Sequence, residues 1–276
     1  MDLSNKLKGI PKIYCLTLDQ RPDRSEYTEK QYFQWGIKNY QLCSGSEYRL
    51  STYKNWKHEV ILNPLEDFPQ KNKHITELSV TVCYLNIIKQ WLENTDENYM
   101  VIMEDDYDLS YIDYWHFDWE YLMNSIPYDW DCIQISFEND LIVPCHLHPI
   151  EPAHGTGASL INRRYAEKLM HLYRKDGKWD SSKKCRNLNW VMTPNITIDY
   201  LLGHNGRTYC IPLICANPNI GSYSTNFLRP DKQSLIFTKK AYDKWWKELR
   251  DYCPLKKFFT YGHPSDIILR RRDFDI

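Results

Sequence analysis

Three consecutive carboxylates follow a short apolar run near the middle of the chain. Residues 100–103 are apolar, too few for an ordinary helix and enclosed by polar sequence, so they predict a buried strand. Glu104, Asp105 and Asp106 then fall at its carboxyl end, the edge of an open α/β sheet where ligands bind. Because adjacent carboxylates repel one another, we expect a cation beside them, and a divalent ion holding a diphosphate is the leading candidate. An acidic turn in water is an equally weighted alternative.

Two arginines follow a second predicted strand near the start of the chain. Residues 10–18 alternate and are rich in β-formers, and residues 25–35 predict a helix that Gly36 closes. Arg21 and Arg24 lie in the loop between them, where a guanidinium can bind phosphate, pair with a carboxylate or remain solvated. This strand, loop and helix predict the opening βα unit of a parallel sheet.

The remaining periodic segments predict an α/β fold. After an aromatic segment at 111–121, whose rings could be core or acceptor platform, Gly155-Thr156-Gly157 could let backbone approach a ligand closely. We expect a single catalytic domain over residues 1–254 with a mixed sheet flanked by helices, and a basic, aromatic arm over 255–276 that could support a homodimer. Further strands are predicted at 40–43, 131–137 and 207–216, helices at 78–92, 165–173, 198–202 and 239–253, and a loop at 175–189.

Composition narrows the function classes. The 276 residues are 42% hydrophobic and 14% aromatic, which excludes a disordered chain and leaves rings to line a polar groove suited to sugars. A net charge of −1 does not indicate the positively charged surface that binds nucleic acid or an anionic membrane, so we expect neither partner. No apolar run reaches the length of a membrane span, so we expect none.

The nine cysteines are typical of a reducing compartment. No pair has the close spacing of a zinc site or a redox motif. Cys15, Cys83, Cys132 and Cys210 lie in apolar stretches and are expected to be small buried hydrophobes. With no signal-peptide core at the start of the sequence, we expect a cytoplasmic protein.

Four blocks in a fixed order resemble glycosyltransferase family 25, the group of bacterial lipooligosaccharide sugar transferases and collagen hydroxylysine galactosyltransferases. Together the blocks span most of the chain, which makes the match more specific than any one block. They are Tyr14-Cys15-Leu16-Thr17-Leu18 with Arg21-Pro22-Asp23-Arg24, Cys83-Tyr84-Leu85 up to Trp91 with Met103-Glu104-Asp105-Asp106, Gly155-Thr156-Gly157-Ala158 up to Arg163-Arg164, and Thr197-Ile198-Asp199.

The chain also departs from the family pattern. Where the family usually has Gly-Cys-x-x-Ser-His before the acidic strand, residues 82–87 read Val-Cys-Tyr-Leu-Asn-Ile, and Thr17 replaces an Asn of the first block. These departures indicate a divergent member, such as a viral collagen-type enzyme, which we would expect in the host cytoplasm. They also keep open a catalytically inactive relative that binds sugars or assembles with a partner. A metal-dependent phosphoesterase is a third interpretation, since clustered carboxylates suit two-metal hydrolysis.

The resemblance implies a GT-A fold and transfer of a hexose, galactose or glucose, from a UDP-sugar to a hydroxyl acceptor such as collagen hydroxylysine or a glycan. It implies Mn²⁺ or Mg²⁺ on Asp106, with help from Glu104 or Asp105, and a nucleotide near Thr17, Leu18, Arg21, Arg24 and Gly45. The family is regarded as inverting, which requires a base. Asp199 is the candidate, although an Asp at a helix N-terminus is also favoured by the helix dipole. His204 and His263 are possible third metal ligands between which the sequence does not choose.

Overall fold

The computed structural model describes residues 6–45, 60–61, 72–139, 141–149, 157–180, 198–220, 231–261 and 267–274, and fourteen strands lie within these ranges. Strands matching the predictions at 10–18, 40–43, 100–103 and 131–137 are present, some with shifted ends. The strands are β1 (Ile13–Thr17), β2 (Tyr40–Ser44), β3 (Val60–Ile61), β4 (Tyr99–Glu104), β5 (Tyr107–Asp108), β6 (Cys132–Gln134), β7 (Ile142–Pro144), β8 (His148–Pro149), β9 (Ala158–Asn162), β10 (Arg174–Lys175), β11 (Lys178–Asp180), β12 (Thr208–Cys210), β13 (Cys215–Ala216) and β14 (Ile268–Arg270).

Seven of these strands form one mixed sheet in the order β2-β1-β4-β9-β6-β12-β8. β1 is parallel to β2 and β4, and β12 is parallel to β6. β9 is antiparallel to β4 and β6, and β8 is antiparallel to β12. Five strands therefore run in the same direction and have their carboxyl ends at the same edge of the sheet: β2, β1, β4, β6 and β12. The smaller sheets pair β10 with β11 and β3, β13 with β5, and β14 with β7.

Helices flank this sheet, which confirms the predicted α/β class with a Rossmann-like mixed sheet. Their ends follow local chemistry: Gly36 takes a φ of +65° just after the first helix, and Asn162 Oδ1 caps the fourth by accepting from Tyr165 N at 2.7 Å. The helices are α1 (Pro22–Gln34), α2 (Asn72–Asn94), α3 (Trp119–Ser125), α4 (Arg163–Tyr173), α5 (Ile198–His204), α6 (Asp231–Lys244) and α7 (Leu255–Phe258).

The first two helices cover opposite faces of the sheet. Ile13 and Cys15 of β1 pack in the cluster that contains Tyr32 of α1, whereas Tyr14 and Leu16 pack in the cluster that contains the buried residues of α2. This division follows from the alternation of side chains along a strand. β1 lies between β2 and β4. The chain therefore adds β2 on one side of β1 and later adds β4 on the other side, and the helices before these two strands cover opposite faces of the sheet. Such a switch point opens a crevice at the carboxyl ends of the two strands.

Two predicted elements are interrupted in the structure. The strand predicted at 207–216 is split into β12 and β13, which belong to different sheets because residues 211–214 turn the chain between them. The helix predicted at 239–253 ends at Lys244 and continues as a π turn over Trp245–Leu249, which buries both Trp245 and Trp246. In the predicted loop at 175–189, the described residues up to 180 belong to the β10–β11 hairpin, and the rest lie outside the described residues.

Most rings of the aromatic segment at 111–121 are core residues. Their packing continues into the predicted arm, where Phe258 is 2% exposed and stacks on Trp245 with ring centroids 5.9 Å apart. β14 of the same arm pairs with β7. The described portion of the arm therefore packs against the body of the protein. The buried rings of the segment are Tyr111, Trp115, Phe117 and Trp119.

The cysteines predicted to be buried are buried in the structure. Cys15, Cys132 and Cys210 are fully inaccessible, and Cys83 is 7% exposed. Each has a free thiol. Across the described portion of the chain, no helix combines the length and the apolar character needed to cross a membrane.

Candidate active site at the carboxyl ends of β1 and β4

The acidic triplet lies at the end of β4 and divides between the two faces of the sheet. Glu104 is the last residue of β4 and points toward α2, where Tyr84 Oη donates to Glu104 Oε1 at 3.3 Å. Asp105 points toward α1, and its carbonyl accepts from Thr28 Oγ1 at 2.9 Å. The triplet therefore occupies the crevice of the switch point, as the sequence predicted for a ligand-binding edge.

Arg24 pairs with both aspartates of the triplet. Its Nη2 lies 2.9 Å from Asp105 Oδ1 and 2.5 Å from Asp106 Oδ2, and the three side chains are 6%, 3% and 15% exposed. One nitrogen is shared between two carboxylates. Both contacts are close, but neither has the geometry of a hydrogen bond. Asp106 Oδ1 and Asp105 Oδ2 are buried and accept no hydrogen bond. The cluster therefore has carboxylate oxygens to offer a further cation.

Burial changes the protonation of this cluster. It raises the pKa of Asp105 to about 6, with the Arg24 charge opposing the shift, and it also raises the pKa of Asp106. The pKa of Glu104 rises to about 8, chiefly by burial and then by the charge of Asp106. At neutral pH, Glu104 is consequently held mainly in its protonated form. A cation would reverse this preference, because it stabilises the carboxylate.

Asp199 joins the same site from a distant part of the chain. It lies in the first turn of α5, and its charge contributes to raising the pKa of both Glu104 and Tyr84. The structure therefore brings the predicted base into the electrostatic neighbourhood of the triplet. Sequence spacing did not predict this proximity, because all the elements from β5 to β11 lie between the two motifs. Thr197, which precedes α5, lies outside the described residues.

The turn that carries the triplet is held from two sides. Gln31 of α1 donates to the carbonyl of Tyr107 at 2.8 Å and accepts from the backbone N of Leu109 at 2.7 Å. The backbone N of Asn217 donates to the carbonyl of Asp106 at 2.7 Å, next to the β13–β5 pair. Sequence reasoning missed Gln31 and Asn217, because neither stands in a recognisable motif. Together they fix the direction of the carboxylates before any ligand arrives.

The predicted nucleotide-binding residues lie along the same edge. Gly45 follows β2, and its backbone N donates to the carbonyl of Thr17 at 2.7 Å. A Cβ on Gly45 would lie 3.2 Å from Leu18 Cδ2, so a larger residue would be tightly packed there. Arg21 is turned elsewhere: its Nε and Nη2 donate to Asp23, and Nη2 also donates to the carbonyl of Ile220. In this structure both predicted arginines are therefore engaged by carboxylates of the chain.

The glycine predicted to allow a close approach does so for a tyrosine. A Cβ on Gly157 would lie 2.2 Å from Tyr107 Oη, so only glycine leaves room for this buried ring. The carbonyl of Gly157 also accepts from the backbone N of Glu104 at 2.7 Å. Gly157 therefore packs against Tyr107, next to the triplet, and bonds to the backbone of Glu104. Gly155 and Thr156 lie outside the described residues.

Tyr84 is a site residue that sequence reasoning did not select. It is fully buried and stands within the block at 82–87 that departs from the family pattern. The sequence therefore contained a feature that could have indicated Tyr84, because this tyrosine lies in the altered block of the helix before the acidic strand. Of the two histidines considered as ligands, His204 stacks on Tyr200 at 5.5 Å, and His263 lies outside the described residues.

The donor set fits a metal ion held in part by its substrate. Across the described residues, no three His, Cys, Asp or Glu side chains converge into a complete metal cage. The partnerless Oδ1 of Asp106 and Oδ2 of Asp105 are hard oxygen donors. Mg²⁺ and similar ions are commonly bound through one or two carboxylates, with phosphate oxygens and water completing the shell. The residues present fit that arrangement.

Comparisons with known proteins leave the family open. No family model matches the chain, and no curated protein does. Among solved structures, the crystal structure of A197 from STIV covers 75% of this chain and 84% of its own, at 11% identity and a TM-score of 0.32. A likeness at this level carries no argument about function.

Proposed function

We propose that this protein is a metal-dependent glycosyltransferase of GT-A type that transfers a hexose from a UDP-sugar to a hydroxyl acceptor. The observation that supports it best is the acidic triplet at the switch point between β1 and β4, close enough to Asp199 that its charge raises the pKa of Glu104. A carboxylate strand tip beside a second, separate carboxylate provides a site for a metal diphosphate and for an acceptor hydroxyl. The order of the sequence blocks adds independent support. Collagen-like hydroxylysine and a glycan are the acceptor classes considered.

Asp106 is the residue proposed to hold Mn²⁺ or Mg²⁺, through its Oδ1, with Glu104 or Asp105 assisting. When bound, such an ion neutralises the charge that develops on the departing nucleoside diphosphate. The role of Arg24 is to orient the aspartates, since it holds Oδ2 of Asp106 and leaves Oδ1 to the cation. Thr17, Leu18 and Gly45 present the ends of β1 and β2 to the nucleotide.

Asp199 is proposed to accept the proton of the attacking hydroxyl in an inverting displacement. Burial raises the pKa of Glu104 to about 8, and this carboxyl accepts a hydrogen bond from Tyr84 Oη at 3.3 Å. Asp199 serves as the base, and Glu104 is a carboxyl that a bound cation would stabilise in its charged form.

One observation favours a second candidate, a catalytically inactive relative that binds a sugar or a partner. Arg24 already places a positive charge against Asp105 and Asp106. If this charge substitutes for the metal, the site retains its shape and lacks the ion that activates the leaving group. The altered block at 82–87 points the same way.

Release of UDP from a panel of UDP-sugars tests the proposal, with Mn²⁺ or with a chelator, for the wild type and for Asp106→Asn and Asp199→Asn. Asp96→Asn, at an exposed position before β4, is the matched control. The proposal expects metal-dependent release that both site variants lose and the control keeps. Because hydrolysis of the donor can proceed slowly in water, the assay does not require a known acceptor.

Binding of UDP, measured by calorimetry, separates the remaining outcomes. UDP binding without release from any donor would favour the inactive relative. Absence of both binding and release would refute the glycosyltransferase proposal. Release that Asp106→Asn leaves unchanged would refute the assignment of the metal to Asp106.

A further inference from the structure

A groove of about 560 Å³ lies beside β2, and none of its described lining residues belongs to the acidic triplet. One wall is β2, from which four consecutive residues, 41–44, line the groove. The side chains of a strand alternate between faces, so consecutive lining residues mean that the groove runs along the strand's edge. Among the described residues, β2 pairs with β1 alone.

The backbone of β2 presents hydrogen-bonding groups to this groove. Gly45 donates to Thr17, and Asn39 accepts from Ile13, so the odd-numbered residues direct their backbone groups toward β1. In a parallel ladder, the residues between them direct N–H and C=O to the other side. Leu42 and Ser44 therefore offer theirs to the groove. A row of such groups is a template for an added strand.

α2 forms the opposite wall. Cys83, Asn86, Ile87 and Gln90 lie at helical spacing on one stripe of this helix, and all four line the groove. Cys83 and Ile87 are buried and supply an apolar floor. A strand laid against β2 would therefore direct every second side chain onto this stripe.

The β10–β11 hairpin closes the third side. Trp179 Nε1 donates to Asn86 Oδ1 at 2.9 Å, which ties the hairpin to α2. The guanidinium of Arg174 lies 5.8 Å from the centre of the Trp179 ring. The hairpin therefore adds both an indole wall and a positive charge.

The described residues that line the groove carry a net positive charge. Lys89 and Arg174 line it, and no described lining residue is acidic. Lys12 adds an ammonium beside it by donating to Gln41 Oε1 at 2.8 Å. Glu93 pairs with Lys89 at 3.1 Å, but its side chain does not line the groove. An occupant with carboxylates complements this surface.

We propose that this groove binds an extended acidic peptide, which adds a strand to β2 and lays alternate side chains on α2. The edge of β2 accounts for backbone recognition, and Lys89 with Arg174 account for the preference for acidic residues. A site between an edge strand and a helix can hold a peptide with little rearrangement. This proposal is independent of catalysis, since it uses no residue of the acidic triplet.

Fluorescence polarisation tests it with a labelled peptide about eight residues long in which glutamate alternates with threonine or valine. One competitor has the same sequence with alternate backbone nitrogens methylated on the face that would pair, and another has lysine for glutamate. We expect both to compete at least about tenfold more weakly, because each removes two or more interactions of roughly fivefold. Equal competition by the methylated peptide would overturn strand addition and leave only an anion site.

Variants of the protein test the same residues. The double variant Lys89→Ala with Arg174→Ala should weaken binding at least about fivefold and flatten its salt dependence. Lys30→Ala, on the exposed side of α1, is the matched control and should bind as the wild type does. Leu42→Pro removes one outward N–H while leaving the ladder to β1 intact, and should also weaken binding. Unchanged binding by the double variant, or no binding of the acidic peptide to the wild type, would refute the proposal.

Discussion

Nη2 of Arg24 lies 2.5 Å from Oδ2 of Asp106, so the first turn of α1, where the sequence predicted a loop, places its charge against the acidic end of β4. The same nitrogen reaches Asp105. Two motifs that the sequence predicted separately, one for phosphate and one for metal, are thus joined in a single buried ion cluster. The electrostatics of the site depend on this pairing.

Arg24→Ala should destabilise the fold. It leaves Asp105 and Asp106 buried without their cation, and breaking a buried ion pair on one side costs about 3–5 kcal/mol. Urea unfolding measures the loss. Arg21→Ala is the control, because its partner Asp23 is 60% exposed and the loss should be much smaller. Equal losses in the two variants would contradict the burial of the Arg24 pair.

Gly157→Ala should be among the most damaging small substitutions. Its Cβ would lie within 2.5 Å of three atoms of the buried Tyr107 ring, and overpacking of this kind costs at least about 1–3 kcal/mol. Combining it with Tyr107→Ala opens the space, so the two effects should be strongly non-additive. Thermal unfolding of both single variants and the double variant checks this. Additive losses would show that the clash is absent.

Stability should fall as pH rises through the range set by Glu104. The pKa of this carboxyl is about 8 in the folded protein and 4.5 when exposed, so the folded state binds the extra proton between these values. The contribution is complete below about pH 4.5 and is lost as pH rises to about 8. Unfolding free energies of the wild type and Glu104→Gln at several pH values measure it, with Glu26→Gln as an exposed control. Parallel curves for wild type and Glu104→Gln would refute the shift.

His148 should act in the opposite direction at acid pH. Burial lowers its pKa to about 4 from an ordinary 6.5, so the unfolded chain binds the extra proton between those values. Stability should fall by about 3 kcal/mol as pH drops from 6.5 to 4. His148→Gln removes this loss, because its side chain does not titrate. Unfolding midpoints of the two proteins at pH 7 and pH 4.5 decide it, and equal acid sensitivity would count against a buried neutral His148.

Asp199→Asn should lower turnover with little effect on donor affinity. A positioned base contributes about a hundredfold or more to rate, whereas the nucleotide is bound by other residues. Turnover and UDP affinity are measured on the same preparation, beside Asp96→Asn. If the variant loses UDP affinity and turnover together, Asp199 holds the donor or the fold instead of serving as the base.

The sequence by itself determined several of the elements, among them β1, α1 and β4, and the location of the triplet at the end of β4. The apolar run before Glu104, the alternation in β1 and the Gly36 stop of α1 are local patterns, so they could be predicted from neighbouring residues. The expectation that the acidic triplet ends a strand at the ligand edge came from the same reasoning. Residue types also predicted which cysteines are buried.

The tertiary structure decided the partners. Which cation meets Asp106, which side chain contacts Glu104 and where Asp199 lies depend on strand order and on the faces that α1, α2 and α5 cover. No spacing in the sequence encodes these relationships, because they join residues from separate elements across the sheet. The shifted pKa values have the same origin, since burial is a property of the packed molecule. The groove beside β2 likewise exists only because three distant segments meet at one edge.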